Sequence, residues 1–452
     1  MTETFARVAE FVLNRPADQM PDSAREAAAL MLLDTLGIVI ASTPMEAGVI
    51  ARDTAALLYG STDPAFSARM LCDGRRVSLA GAAYAAATQT DNLDGHDGYN
   101  PTKGHIGVVV VPALCALAEH CPDLSGPDAL AAVITGYEIA GRAGIALHAT
   151  VSDYHTSGAW NALGAVAMAA RLRGHSPDQL GQGLGIAEYH GPRSQMMREI
   201  ANPTMLHDGS GWGALVGMSA AILAERGFTG APAITIEEAR AAPFWQDLGT
   251  FWQMEHQYVK PYPICRWAHA AIDGLRTVMN SHGLTHHQIA RVEIHSFHEA
   301  VQLYSGMPET TSQAQYSLPF AVSTFAVHGR IGVEHISGDG LSDPMVADFL
   351  SRITVSESDR HNSRFPAGRW ADVQVTTHDG RVFRSGDIHA GGGPESPMSR
   401  QDVIDKFVEF SSPEIGESAA KNLSRAVLNL TDPGTRFSDM VQPLYRSAKS
   451  SA

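Results

Sequence analysis

Cysteine is scarce, and the pairing patterns that give it structural work are missing. Cys72, Cys115, Cys121 and Cys265 form no CxxC pair and no framework spacing, so the chain reads as a reduced protein held by its core. Basic charge is also short. Only 33 Lys and Arg stand against 48 Asp and Glu, a net charge of −15, which argues against nucleic-acid or anionic-membrane partners because phosphate binding needs a positive field. A small anionic substrate stays open, since a pocket can be locally positive inside an acidic protein. No P-loop, no strand-borne GxGxxG, no GxSxG and no HExxH occurs, which removes the usual signals for nucleotide binding, serine nucleophiles and zinc peptidases. The longest apolar run, 106–118, is too short for a bilayer and holds Pro112. The first residues, MTETFARVAEFVLNRP, are broken by Glu3, Arg7, Glu10 and Arg15 and follow a surface-helix period instead of a signal-peptide pattern. A soluble, cytoplasmic protein is expected.

What is present is a folded composition, 44% apolar and 18% charged over 452 residues, long enough for two domains. Helical patterning fills the first half. Ser23-Ala-Arg-Glu26 reads as a capping box opening a helix through AAALMLLDTLGIVIA, and further helices are expected near 77–90, 106–120, 127–148, 158–173, 177–190 and 208–226. Several are rich in Gly and Ala, which lets helix axes approach closely. After about residue 265 the period changes. ARVEIHSF, RITVSES and ADVQVTTHDGRVFRSG alternate like strands, with Asp379-Gly380 reading as a type I′ hairpin turn. GGGPESP at 391–397 reads as a linker, and Ser399 as the cap of a final helix, with another helical stretch near 416–429. The expected fold is mainly α: a large all-helical domain, 1–265 plus 399–452, with a smaller α/β domain, 266–398, inserted before the C-terminal helices.

Chemistry concentrates in a few stretches. Asp91–His105, DNLDGHDGYNPTKGH, packs Asp91, Asp94, Asp97, His96, His105 and Lys103 onto a turn-rich segment between two segments built for burial, the way a scaffold presents a site from a loop. The same residue types also suit an ordinary solvated loop. His155 and His207 each precede a small-residue helix, where the dipole disfavours an imidazolium and leaves a histidine able to accept a proton. Lys260, Arg266 and His269 cluster in VKPYPICRWAHAAIDG, and Tyr316 lies in QAQYSLPFAVS. Asp91, His96 and His105 are acceptable metal ligands by type, but no ligand spacing supports them, and no metal is expected.

Taken in order, LLDTLGIVIAS, TDNLDGHDGYNPTKGHIGVVVVPALCALAE, ITGYEIAGR, YHTSGAWNALGAVAMAARLRG, MLHDGSGWGALVGMSAAILAERGFTGAP, VKPYPICRWAHAAIDG and QAQYSLPFAVSTFAVHG resemble the MmgE/PrpD family, which includes 2-methylcitrate dehydratase, cis-aconitate decarboxylase and iminodisuccinate epimerase. The resemblance implies a helical domain completed by C-terminal helices, a smaller α/β domain with a cleft between them, commonly a homodimer, and no metal or organic cofactor. It also implies proton removal next to a carboxylate or imine of a small di- or tricarboxylate. Carried over by position, the family's site residues fall on Asp91, His105, His155, Lys260 and His269. His155 or His105 would be the base, Asp91 would orient a histidine, and Lys260, Lys103 and Arg266 would hold carboxylates. His96, His207 and Tyr316 complete the expected substrate-binding set. This chain departs from the family pattern at Thr204, in place of a lysine, and at Phe320, in place of a tyrosine. Losing a cation and a hydroxyl argues against cis-aconitate decarboxylation and leaves a dehydratase, or an epimerase of a dicarboxylate or imino acid. A carboxylate-binding protein without catalysis is a third reading.

Overall fold

In the computed structural model, which describes residues 2–446, helices dominate and strands are few. The Asp22–Ala41, Leu79–Asp91, Gly107–Ala118, Gly126–Thr150, Gly158–Arg173, Pro177–His190 and Ser210–Glu225 helices pack around one apolar core. The reason is compositional: these segments are Ala/Val/Leu-rich on most faces, so each is stable only when surrounded. Gly126–Thr150 is long and apolar enough to cross a bilayer, yet 94% of its most apolar window is buried in the fold. Small residues set the spacing. A Cβ on Gly164 would lie 2.6 Å from the Gly136 carbonyl oxygen of the neighbouring helix, so that crossing exists only with glycine there.

A second core holds the smaller sheet. Its strand order is Ile353–Glu357, Ile289–Ser296, Trp370–Thr377, Val382–His389, with the first pair parallel and the other two antiparallel. The helix Arg266–His282 covers the last two strands, and the helix Leu318–His328 packs against it. The chain then returns. Ser399 caps the helix Arg400–Ile415 through the Asp402 amide, and that helix lies along Asp22–Ala41 with Phe407 against Gly37.

Three local expectations need correction. The first long helix starts two residues early, at Asp22 after Pro21, with no side-chain cap. Ser23 is inside it and donates to Glu255 Oε1 at 2.7 Å. The Asp379-Gly380 turn forms, but only Gly380 has positive φ, at 85°, and the Gly380 amide donates to the Thr377 carbonyl. That is a type I turn with a glycine bulge, not type I′. Finally, GGGPESP is no free linker. Its Gly392 carbonyl accepts from the Val259 amide at 3.0 Å, and a Cβ on Gly392 would sit 2.1 Å from the Val259 oxygen. Glycine here serves close backbone docking.

Candidate active site

The loop after Leu79–Asp91 is buried, not solvated: Asp91, Asp94, His96, Asp97 and His105 are all under a tenth exposed. Its organising atom is the Asp97 carbonyl oxygen, which lies 2.6 Å from His105 Nδ1 and 3.3 Å from His96 Nδ1. A carbonyl can only accept, so both rings carry their proton on Nδ1 and turn Nε2 outward. His105 Nε2 faces Asp208 Oδ2 at 3.5 Å, and His96 Nε2 faces Asp91 Oδ1 at 3.6 Å. Two histidine–aspartate arrays thus share one backbone acceptor, with the rings edge to face at 4.5 Å.

The arrays differ in environment. Burial drives the His96 ring well below its usual range, helped by the neighbouring His105 and Lys260. Burial, with Asp208 and Asp94 nearby, pushes the Asp91 carboxyl well above its usual range. The inner array is therefore held neutral. Asp91 also accepts from the Ser210 amide at 3.0 Å, at the start of the helix Ser210–Glu225. Asp97 is raised to about 6, first by burial and then by Asp34. Asp208 belongs to the outer array and accepts from Ser157 Oγ at 2.7 Å, while Ser157 Oγ also accepts from the His105 amide at 3.0 Å.

The outer array opens on a cavity of about 30 Å³. Four cations line it: Lys103, Lys260, Arg266 and Arg369. Lys260 is matched, donating from Nζ to Asp94 Oδ1 at 2.6 Å. The others lack a carboxylate partner among the described residues. Lys103 lies 4.2 Å from the Tyr154 ring centroid. Arg266 stacks on Tyr258 at 4.4 Å and donates to the Ala390 and Gly391 carbonyls. Burial lowers its guanidinium to about 10. The Nε atoms of Arg266 and Arg369 are buried with no hydrogen-bond partner. Tyr316 also lines the cavity, and burial, then Asp94, hold its hydroxyl well above the usual range, hence protonated. Asp94 and Lys103 adopt left-handed backbone, with φ of 51° and 53°, which non-glycine residues take at a cost.

The structure thus brings Lys103, His105, Lys260, Arg266 and Tyr316 to one cavity, with Asp91 and His96 directly behind it. Three expected residues stand elsewhere. His155 does not line the cavity; its ring stacks parallel to His148 at 6.5 Å, and partial burial with Arg193 lowers it. His269 is fully buried against the Ile264 carbonyl and Tyr262 and does not line the cavity. His207 lies behind Tyr316, 5.4 Å ring to ring, and burial lowers it to about 4. Two residues went unread in the sequence. Asp208 hides in HDGSG, where an acid before a helix looks like a cap, and Arg369 sits in FPAGRW with no pattern to mark it. The departures noted above are also placed: Thr204 is exposed and bonded to Glu199, and Phe320 is wholly inside the second core. Among the described residues, His361, Asp372 and Asp387 have the spacing to hold a metal. Both carboxylates are already met by Arg360, at 2.6 and 3.0 Å, and Asp387 by Arg364 at 2.7 Å, so they form an ion-pair network on the sheet.

Compared with known proteins, residues 6–279 match the MmgE/PrpD N-terminal domain and residues 262–432 the MmgE/PrpD C-terminal domain. Curated relatives include cis-aconitate decarboxylase of Aspergillus terreus, 23% identical with 98% of this chain and 96% of the relative covered. The Homo sapiens cis-aconitate decarboxylase is 23% identical, with 96% and 92% covered.

Proposed function

The chain belongs to the MmgE/PrpD family, and we propose that it is a lyase that removes a proton next to a carboxylate of a small di- or tricarboxylic acid, dehydrating a hydroxy acid in the manner of 2-methylcitrate dehydratase. The observation that carries this reading is the buried His105–Asp208 pair facing a cavity whose other walls present three cations without carboxylate partners. With its proton fixed on Nδ1, His105 offers a free Nε2 to take a proton from the substrate. The proton taken is then shared with Asp208 Oδ2, and the carboxylate stabilises the imidazolium. Arg266 and Lys103 hold the substrate carboxylates and stabilise the negative charge that develops beside them. Tyr316, which lines the same cavity and is held protonated, serves in this reading as the acid for a leaving hydroxyl or a carbanion. Phe320, buried in the second core, offers no hydroxyl where the decarboxylases carry a tyrosine, which favours dehydration over the decarboxylation named for the relatives.

The test is proton NMR in D2O with a panel of hydroxy di- and tricarboxylates, unsaturated tricarboxylates and imino dicarboxylates. Dehydration gives a new alkene signal from a hydroxy acid. Epimerisation gives deuterium at the α-carbon without an alkene, and decarboxylation gives a product one carbon shorter. No change in any member of the panel would overturn the enzymatic reading.

A further inference from the structure

Resting on that reading, we propose that Arg369 holds a substrate carboxylate and sets the preference for a tricarboxylate over the diacid of the same carbon skeleton. Arg369 immediately precedes the strand Trp370–Thr377, so the smaller sheet delivers it to the cavity. It is 2% exposed. One Nη donates to the Pro366 carbonyl at 2.6 Å, and the guanidinium lies 5.4 Å from the Phe365 ring centroid. Its Nε is buried with no partner, and no ion pair reaches it among the described residues.

A buried guanidinium without a counter-ion is costly, and its fork geometry suits a carboxylate taken in two-pronged fashion. The neighbours sharpen the case. Lys103 and Arg266 each experience Arg369 as a nearby positive charge, which disfavours their own charged forms. Glu299 is a carboxylate whose charge bears on both Lys103 and Arg369, and it does not line the cavity. Three like charges are therefore gathered around one space while Lys260 is already satisfied by Asp94. The arrangement is complementary to three negative charges. It also supplies a cation where Thr204 offers none.

Calorimetric titration with tricarballylate and with glutarate, which lacks only the central carboxylate, tests the assignment on the intact protein. The wild type should favour tricarballylate by on the order of 10- to 100-fold. Arg369→Met should bring that ratio close to one, and Arg369→Lys should fall between. A purely structural arginine would lower the melting temperature without moving the ratio. A wild type that does not distinguish the two acids, or an Arg369→Met protein that keeps the ratio, overturns the proposal while leaving the lyase reading standing. A wild type that binds neither acid also overturns the Arg369 assignment, and the lyase reading is then decided separately by the NMR panel. A crystal structure of the wild type with tricarballylate gives an answer independent of any variant's folding: a carboxylate on Arg369 Nε supports the assignment, and a bound ligand that leaves Nε bare overturns it.

Discussion

His105 and Asp208 are expected to fail differently when altered. His105→Gln keeps a group that can bond the Asp97 carbonyl but loses the basic Nε2, so kcat should fall by roughly 10²- to 10⁴-fold with KM little changed. Asp208→Asn should lower kcat by a smaller factor and shift the pH profile, since the imidazolium loses its partner. Steady-state kinetics on whichever acid the panel identifies would check both. His207 affords a stability test. Its ring is held at about 4 by burial, against about 6.5 in an unfolded chain. Between these values the unfolded state binds the extra proton, so this group makes stability fall as pH drops from about 6.5 to about 4, by at most about 3 kcal/mol. His207→Gln should flatten that slope in urea unfolding at stepped pH, and an unchanged slope would refute the assignment. The legibility of these residues was uneven for physical reasons. A dense ionisable loop between buried segments is visible in sequence, so Asp91–His105 could be found. Asp208 and Arg369 stand at the site through position alone, and sequence cannot say that the His155 ring stacks on His148 away from the cavity.

At the scale of elements, the last long helix matters to the site although it lines none of it. Lys406 on the helix Arg400–Ile415 donates from Nζ to Asp34 on Asp22–Ala41 and to the Gly95 carbonyl at 2.7 Å, inside the active loop. Both charged partners are buried, and burial pushes Asp34 up and Lys406 down. Lys406→Met should cost roughly 3 kcal/mol by leaving the carboxyl and the loop carbonyl unpartnered. Asp34→Leu combined with Lys406→Met should recover part of that stability, yet leave activity low because Gly95 still lacks its donor. Denaturant unfolding and turnover read the two effects separately. The helices themselves were readable, because their period is regular and the Ser399 cap agrees with it. The connection at 391–397 was not, since its glycines serve tight docking against Val259, which looks the same in sequence as flexibility.

For the whole molecule, the cavity of about 30 Å³ holds about one water, far less than a dicarboxylate. Its walls must part before a ligand enters. Stopped-flow binding of tricarballylate should therefore show an observed rate that levels off with concentration at the opening rate, whereas a linear rise would mean an already open site. The cavity is a polar seam beside the second core, whose Met196, Ile200, Cys265, Trp267 and Tyr316 line it together with Asp94, Lys260 and Arg369. Such a seam also dictates the order in which the molecule comes apart. Each core is held by its own apolar contacts, while the seam relies on charges and backbone hydrogen bonds that water replaces cheaply. Under rising urea, ligand binding should disappear before the far-ultraviolet helical signal does. A protein that keeps its helices after losing its ligand would retain its shape while having already given up the charged seam that recognises a substrate.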